Sequence, residues 1–321
     1  MDIIKILRDA IDRLPDGDHS PGLSAIMRHI SNAIRHFERR EDGESDTFTD
    51  AIYRTNQAYE GSLKEAYRVL AAKDPHGKTP NEIEKYLESK KIVRPRVLTQ
   101  LTRYRQDYRN PSTHDYKLDF DEDEALLAIV SVCAFAKLLV DQISERLAFN
   151  AAISEPPIVS RSNLNLSDKD VLVDTILKTC IEYADSVDRN ITQSEFEGGL
   201  AGRLAAIGLD TDSEYCIPGD DDGLMWDILV SYELNTIPIE IRFVSKEYKD
   251  SEAHGIPLLN AGMSEEEYSA GFVVLLAKGA RGYNGYRTSS RNGDIYIISH
   301  YGINDVADIN RDIANDLALV G

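Results

Sequence analysis

RYRQDYRNPSTHDYKLDFDEDEALLAIVSVCAFAKLL, residues 103–139, decides how this chain is read. It passes from a basic helical pattern through Asn110-Pro111 to an acidic run, and then to a long apolar segment. Asp119, Asp121, Glu122, Asp123 and Glu124 stand where the positive end of a helix macrodipole favours carboxylates, so the run marks a helix start rather than a metal site. The apolar run ALLAIVSVCAFAKLLV is interrupted by Lys137 and falls short of the roughly 18 apolar residues of a membrane span. It reads as the core helix of a bundle.

Upstream the pattern is helical throughout. Residues 1–14 and 21–40 carry apolar positions at helical spacing, and EDGESDTFTD reads as a loop. Next comes a stripe of Ile52, Tyr59, Leu63, Ala66, Tyr67 and Leu70. Thr79 caps a Pro-initiated helix, PNEIEKYLESK, and VLTQLTRYRQDYR forms another that stops at Asn110-Pro111.

Downstream, residues 151–166 lack periodicity and contain Pro156-Pro157, which places a linker there. Beyond it two helices are followed by β-branched runs at MWDILVSY, TIPIEIRFV, AGFVVLLAK and DIYIISHYG, and by a final helix at VADINRDIANDLAL. GARGYNGYRTSSRNG reads as a flexible loop that carries Arg281, Arg287 and Arg291. The expectation is a multidomain protein: an all-α bundle over residues 1–150, a linker, and an α/β domain with a mixed sheet over 167–321.

With 42% hydrophobic and 28% charged residues the composition is globular, and the N-terminus has no apolar leader. Cys133, Cys180 and Cys216 lack metal-ligand spacing, which points to a reducing, cytoplasmic setting. The net charge of −19 is uneven. Residues 1–150 hold 23 Lys+Arg against 26 Asp+Glu, about −3, and the remainder hold 13 against 29, about −16. Within the near-neutral half, Lys90, Lys91, Arg94, Arg96, Arg103, Arg105 and Arg109 are interleaved with Tyr104 and Tyr108. This is either a nucleic-acid surface or a solvated helix face with its stems packed on neighbours. His29 and His36 follow Arg28 and Arg35 at a seven-residue repeat, read as a solvated or dimer-facing stripe.

Arg109 and His114 lie five positions apart across the Asn110-Pro111 break, where Ser112 or Thr113 can cap a turn. A guanidinium holds phosphodiester oxygens bidentately, and an imidazole accepts a proton near neutral pH. Without a metal the nucleophile comes from the substrate, and RNA carries one in its 2′-hydroxyl.

The whole layout of residues 103–139 resembles the HEPN superfamily, whose mark is an R-x4-6-H motif at the junction of its last long helices. The resemblance implies that Arg109 and His114 are ribonuclease residues supported by Asn110; on the nucleic-acid reading of the basic segment, Arg103, Arg105 and Tyr108 contact the RNA. It implies no cofactor at this site, a homodimer or higher oligomer with a composite site, no membrane, and a role in toxin–antitoxin or antiphage defence. Tyr116, in R-x4-H-x-Y, matches toxins modified by a nucleotidyltransferase antitoxin. Alternatively, Arg109 and His114 only cap and orient the junction of a non-catalytic domain.

In the C-terminal half, Glu240 and Arg242 share one face of IPIEIRF while Ile239 and Ile241 take the other. Asp227 can sit beside Glu240 on the sheet. With Glu197 on a preceding helix, this arrangement resembles the PD-(D/E)xK restriction-endonuclease-like fold, which implies Mg²⁺ and DNA cutting. The chain departs from that pattern at Trp226, where the family has Pro, and at Arg242, where it has Lys; arginine stays protonated and cannot act as a base. The readings left open are a live nuclease, a degenerate binding domain, and a strand pair with incidental acids.

Overall fold

The computed structural model describes residues 2–39, 46–114, 119–157, 165–188, 190–216, 225–244, 256, 259–260, 262–263, 268–277 and 279–300. Two compact units divide at Arg146/Leu147.

The first unit is helical: α1 (Ile3–Arg13), α2 (Ser20–Glu38), α3 (Asp46–Leu70), α4 (Pro80–Ser89), α5 (Pro95–Tyr104), a π-helical turn (Arg105–Arg109), α6 (Asn110–His114), and α7 (Glu122–Ser154), which runs across the division. Local chemistry explains the starts. Thr79 and Glu82 form a reciprocal capping box on α4. At α7, the Glu124 amide donates to Asp121 Oδ1 at 2.9 Å and the Asp121 amide donates to Glu124 Oε2 at 3.0 Å, so the acidic run does start a helix. α2 and α3 pack closely because Gly22 and Gly61 leave room for Glu65 and Ile26. The rings of Tyr59, Tyr104 and Phe135 join α3, α5 and α7, with centroids 4.9–5.5 Å apart.

α7 is long and apolar enough to cross a membrane by length and composition, and 56% of its most apolar stretch is buried within the protein. Lys137, which interrupts the stretch, pairs with Asp141 one turn on.

The second unit has α8 (Lys169–Ser186) and α9 (Gln193–Ala206), then β1 (Asp210–Cys216), β2 (Met225–Tyr232), β3 (Asn235–Val244), β4 (Ala270–Ala277), β5 (Asn284–Ser289) and β6 (Asp294–Ser299). The strand order is β1-β2-β3-β4-β6-β5, parallel at β3/β4 and β4/β6 and antiparallel elsewhere, so the sheet is mixed. One core includes Ile228, Val230, Ile239, Ile241, Phe272 and Val274 with the apolar sides of α8 and α9. A second gathers Trp226, Leu229, Val273, Leu275 and Ile297 with Ile256, Leu259 and Met263. Cys133 and Cys180 are free and buried, and burial pushes both thiols up to about 12, so neither is poised as a thiolate.

Four expectations are corrected. The helix ahead of Asn110-Pro111 does not stop there: it widens into the π turn, with the Asn110 amide bonded to the Arg105 carbonyl, and continues as α6. Proline removes a donor and clashes with the carbonyl four residues back, and a wider turn relieves both demands. The stretch 41–50 is not all loop, because α3 begins at Asp46. The glycine-rich stretch after β4 holds β5, an edge strand paired to β6. α7 continues to Ser154, four residues into the expected linker, and buries Ala152. The expected helix over 306–319 and residues 158–164 lie outside the described residues.

In α9, a Cβ on Gly202 would come within 2.6 Å of the Phe149 carbonyl oxygen and 2.9 Å of the Ala152 Cβ. Gly202→Ala therefore forces α9 off the last turns of α7, and chemical denaturation is expected to read a loss of about 1–3 kcal/mol.

Candidate functional site

Around the π turn lie several buried polar groups of the helical unit, Thr55, Asn56, Glu84 and Ser112. Tyr104, expected on a basic aromatic surface, is instead a core residue at 1% exposure. Its hydroxyl lies 2.9 Å from Asn56 Oδ1 and 2.7 Å from Thr55 Oγ1. Asn56 Nδ2 donates to Ser112 Oγ at 2.7 Å, and Ser112 Oγ donates to the Arg109 carbonyl at 3.0 Å. Thr113 Oγ1 donates to the same carbonyl at 2.8 Å. Ser112 and Thr113 thus do not cap a new turn. They bond back to Arg109, two residues ahead of Pro111, and through Ser112 Asn56 ties it to α3.

Arg109 is held at this anchored point with its side chain half-buried. Its Nη1 donates to Asn110 Oδ1 at 3.3 Å, and its Nη2 stands 3.5 Å from Glu60 Oε1. The Asn110 amide oxygen thus faces the Arg109 guanidinium. The Glu60 contact is between part-exposed groups, worth about 0–1 kcal/mol, and a phosphodiester can displace it. Tyr53, on α3, lies beside the junction with its hydroxyl 3.4 Å from the Ser112 carbonyl.

The backbone of His114 closes α6; its side chain and Tyr116 lie outside the described residues. A rise of about 1.5 Å and a turn of about 100° per residue separate the Cα atoms of Arg109 and His114 by about 7.5 Å along the axis and about 140° around it.

Of the three expected RNA-contacting residues, Arg105 and Tyr108 follow each other on the face that carries Arg109. Arg103 is exposed, two positions earlier. Tyr108 is half-buried, its ring 5.4 Å from that of Tyr104. Arg105 is engaged inward: its Nε stands 2.7 Å from Glu84 Oε2. The pair is close but poorly aligned, since neither Arg105 Nε nor Glu84 Oε1 finds a hydrogen-bond partner. We read it as an ion pair governed by distance.

Glu84 was missed from sequence. Burial raises its carboxyl to about 7, Arg105 and then Arg109 pull it down, and Glu88 pushes it up. A signal existed, because Glu84 lies on the apolar side of α4 beside buried Ile83 and Leu87, where a carboxylate needs a partner.

In the second unit Asp227, Glu240 and Arg242 do come together. The Ile228↔Ile239 register, extended by one residue, sets Asp227 opposite Glu240. Ile239 and Ile241 enter the α8/α9 core as the alternation requires. Arg242 Nη2 is 2.6 Å from Glu240 Oε2, and Nη1 is 3.7 Å from Asp227 Oδ2. The Glu240 oxygens nonetheless lack aligned hydrogen bonds, so this too is an ion pair by distance. Asp227 Oδ2 also accepts the Ile241 amide at 2.7 Å. Burial, then the Asp227 charge, raises the Glu240 carboxyl, and Arg242 opposes them. Buried Glu197 accepts from Gln193 Nε2 at 2.7 Å.

A divalent cation here would have to displace Arg242, which already lies between the two carboxylates. No group of three potential ligands occurs among the described residues. As they stand, these residues do not fit Mg²⁺. Arg287 pairs with Asp294 at 2.6 Å, and Arg281 donates to the Asp185 carbonyl, so two of the three loop arginines are engaged within the fold.

No family model, curated protein or solved structure matches this chain.

Replacing Asn56 with Ala takes away both the acceptor facing Tyr104 and the donor to Ser112. Calorimetry is expected to show about 1–3 kcal/mol lost. A further measurement isolates Glu84. Between pH 4.5 and about 7 the folded chain holds a proton that the unfolded chain has released. This group's contribution is therefore fullest below that window and is lost as pH rises through it. Glu84→Gln, neutral at all pH values, should show a shallower fall in melting temperature from pH 5 to pH 8 than the unmodified chain.

Proposed function

We propose that the N-terminal unit is a metal-independent endoribonuclease of HEPN type, acting in prokaryotic defence or as a toxin restrained by an antitoxin. In this reading the C-terminal α/β unit senses or recruits. The observation that carries it is the anchoring of Arg109: a part-exposed guanidinium oriented by Asn110, with its carbonyl fixed through Ser112 to α3. A π turn at this position supports the reading, since such turns recur at functional sites.

The chemistry follows from the residue types. Arg109 grips the non-bridging oxygens of one phosphodiester. His114 takes the proton of the adjacent 2′-hydroxyl; O2′ bonds to phosphorus as the bond to O5′ breaks. Protonated imidazole then returns a proton to the departing 5′-oxygen, leaving a 2′,3′-cyclic phosphate and a 5′-hydroxyl. Glu84 and Arg105 position this face without touching substrate.

Pairing of two copies suits the exposed apolar stripe of Leu126, Leu127 and Val130 on α7, each more than two-fifths exposed. A nucleotidyltransferase acting on Tyr116 belongs to the same proposal. The second unit resembles the restriction-endonuclease-like fold in its strand acids, but Arg242 between them favours a binding role over Mg²⁺-dependent DNA cutting.

Incubating the purified chain with RNA in EDTA tests the reading. Cleavage to cyclic-phosphate ends is expected, blocked by a 2′-deoxy substitution at the scissile position and slowed about 10²–10⁴-fold by His114→Ala or Arg109→Ala. Uncut RNA, or equal cutting by His114→Ala, removes the proposal.

A further inference from the structure

Away from Arg109, α2 and α3 share a half-open cavity of about 170 Å³ lined by Asn32, Arg35, His36, Arg39 and Arg54. The first four recur at i, i+3, i+4 and i+7 along one face of the end of α2, and Arg54 comes from α3. Every lining side chain is polar, and three are guanidiniums.

Bringing three such charges to one small cavity costs repulsion, and among the described residues only part of it is offset. Arg35 donates to Asn32 Oδ1, and Arg54 Nη1 donates to Gln57 Oε1 at 3.0 Å. Both partners are neutral amides, which orient a guanidinium without neutralising it. Asp50 is the acidic group brought here among the described residues; it stands 3.8 Å from His36 Nδ1 and is mostly exposed. Among the described residues, one carboxylate stands here with three guanidiniums.

The macrodipole accounts for only part of the arrangement. Roughly half a negative charge at the end of α2 favours Arg35 and Arg39, but Arg54 is in mid-helix, where no end charge acts. The same half charge is also too small to keep an anion away from three cations. Burial and then the charges of Arg54 and Arg28 hold the nearby His29 imidazole below its usual range.

We infer that this cavity binds the phosphate group of a small phosphomonoester. Oriented guanidinium forks match phosphate oxygens bidentately. At about 170 Å³ the cavity is smaller than the roughly 300–1,000 Å³ of sites that enclose a drug-sized ligand. It therefore takes the phosphate and leaves the rest of the molecule at its mouth. The inference is independent of the ribonuclease reading, since none of its residues belongs to the Arg109 junction.

The test is calorimetric titration of the full chain with inorganic phosphate, with adenosine 5′-monophosphate and with adenosine, at matched ionic strength. Saturable binding of the monophosphate is expected, weakened at least ten-fold by Arg54→Ala and by Arg39→Ala and less by Arg54→Lys. Arg39→Ala alters an exposed side chain at the end of α2, so it keeps the test decisive if Arg54→Ala does not fold. Tighter binding of the nucleotide than of inorganic phosphate identifies an esterified ligand; equal binding identifies free phosphate as the occupant and overturns the phosphomonoester assignment. No saturable binding, binding unaffected by the arginine substitutions, or adenosine binding as well as its monophosphate overturns the site altogether.

Discussion

The hydrogen-bonded chain from Tyr104 through Asn56 and Ser112 to the Arg109 carbonyl is what the candidate site depends on. It is buried, so each link strengthens in low dielectric, and an unpaired link is costly. It also joins two elements that sequence order keeps apart, α3 and the turn after α5. Without it the Arg109 carbonyl would lose its tie to α3, and the guanidinium would sit on a turn that α3 does not restrain.

The two units settle charge in different ways. Around Arg109 the cations outnumber the buried acids, and Glu84 compromises by holding its proton near neutrality. On the sheet, two acids meet one arginine, and the buried Glu240 is pushed toward its neutral form by the same desolvation. A lone arginine bridging two carboxylates neutralises the cluster in place, whereas a lysine in the same position can shed its charge.

Most of the fold was legible because its elements announce themselves locally. Apolar periodicity marks α2, α3 and α7, and Thr79 with Glu82 writes the start of α4. Ile239 and Ile241 alternate with Glu240 and Arg242 as a two-faced strand demands. What was illegible lacks such a signal. β1 reads DTDSEYC, polar along most of its length because it is an edge strand paired only to β2, and β5 is a glycine-containing edge strand with mostly exposed residues. The π turn was hidden because Pro111 signals a break, while the compensating hydroxyls of Ser112 and Thr113 look like caps. Asn56 and Glu84 carry no motif at all; they acquire meaning only when α3 and α4 are set against α5.

The π turn also sets an angular phase. An α-helix advances about 100° per residue, so the extra residue accommodated between Arg105 and Asn110 rotates everything beyond it relative to α5. A chain one residue shorter here could close as a regular screw, yet it would aim the 110–114 segment at a different neighbour. The length of this turn is thus under tighter constraint than the identity of its residues, with Gln106 and Asp107 free to vary so long as neither is lost.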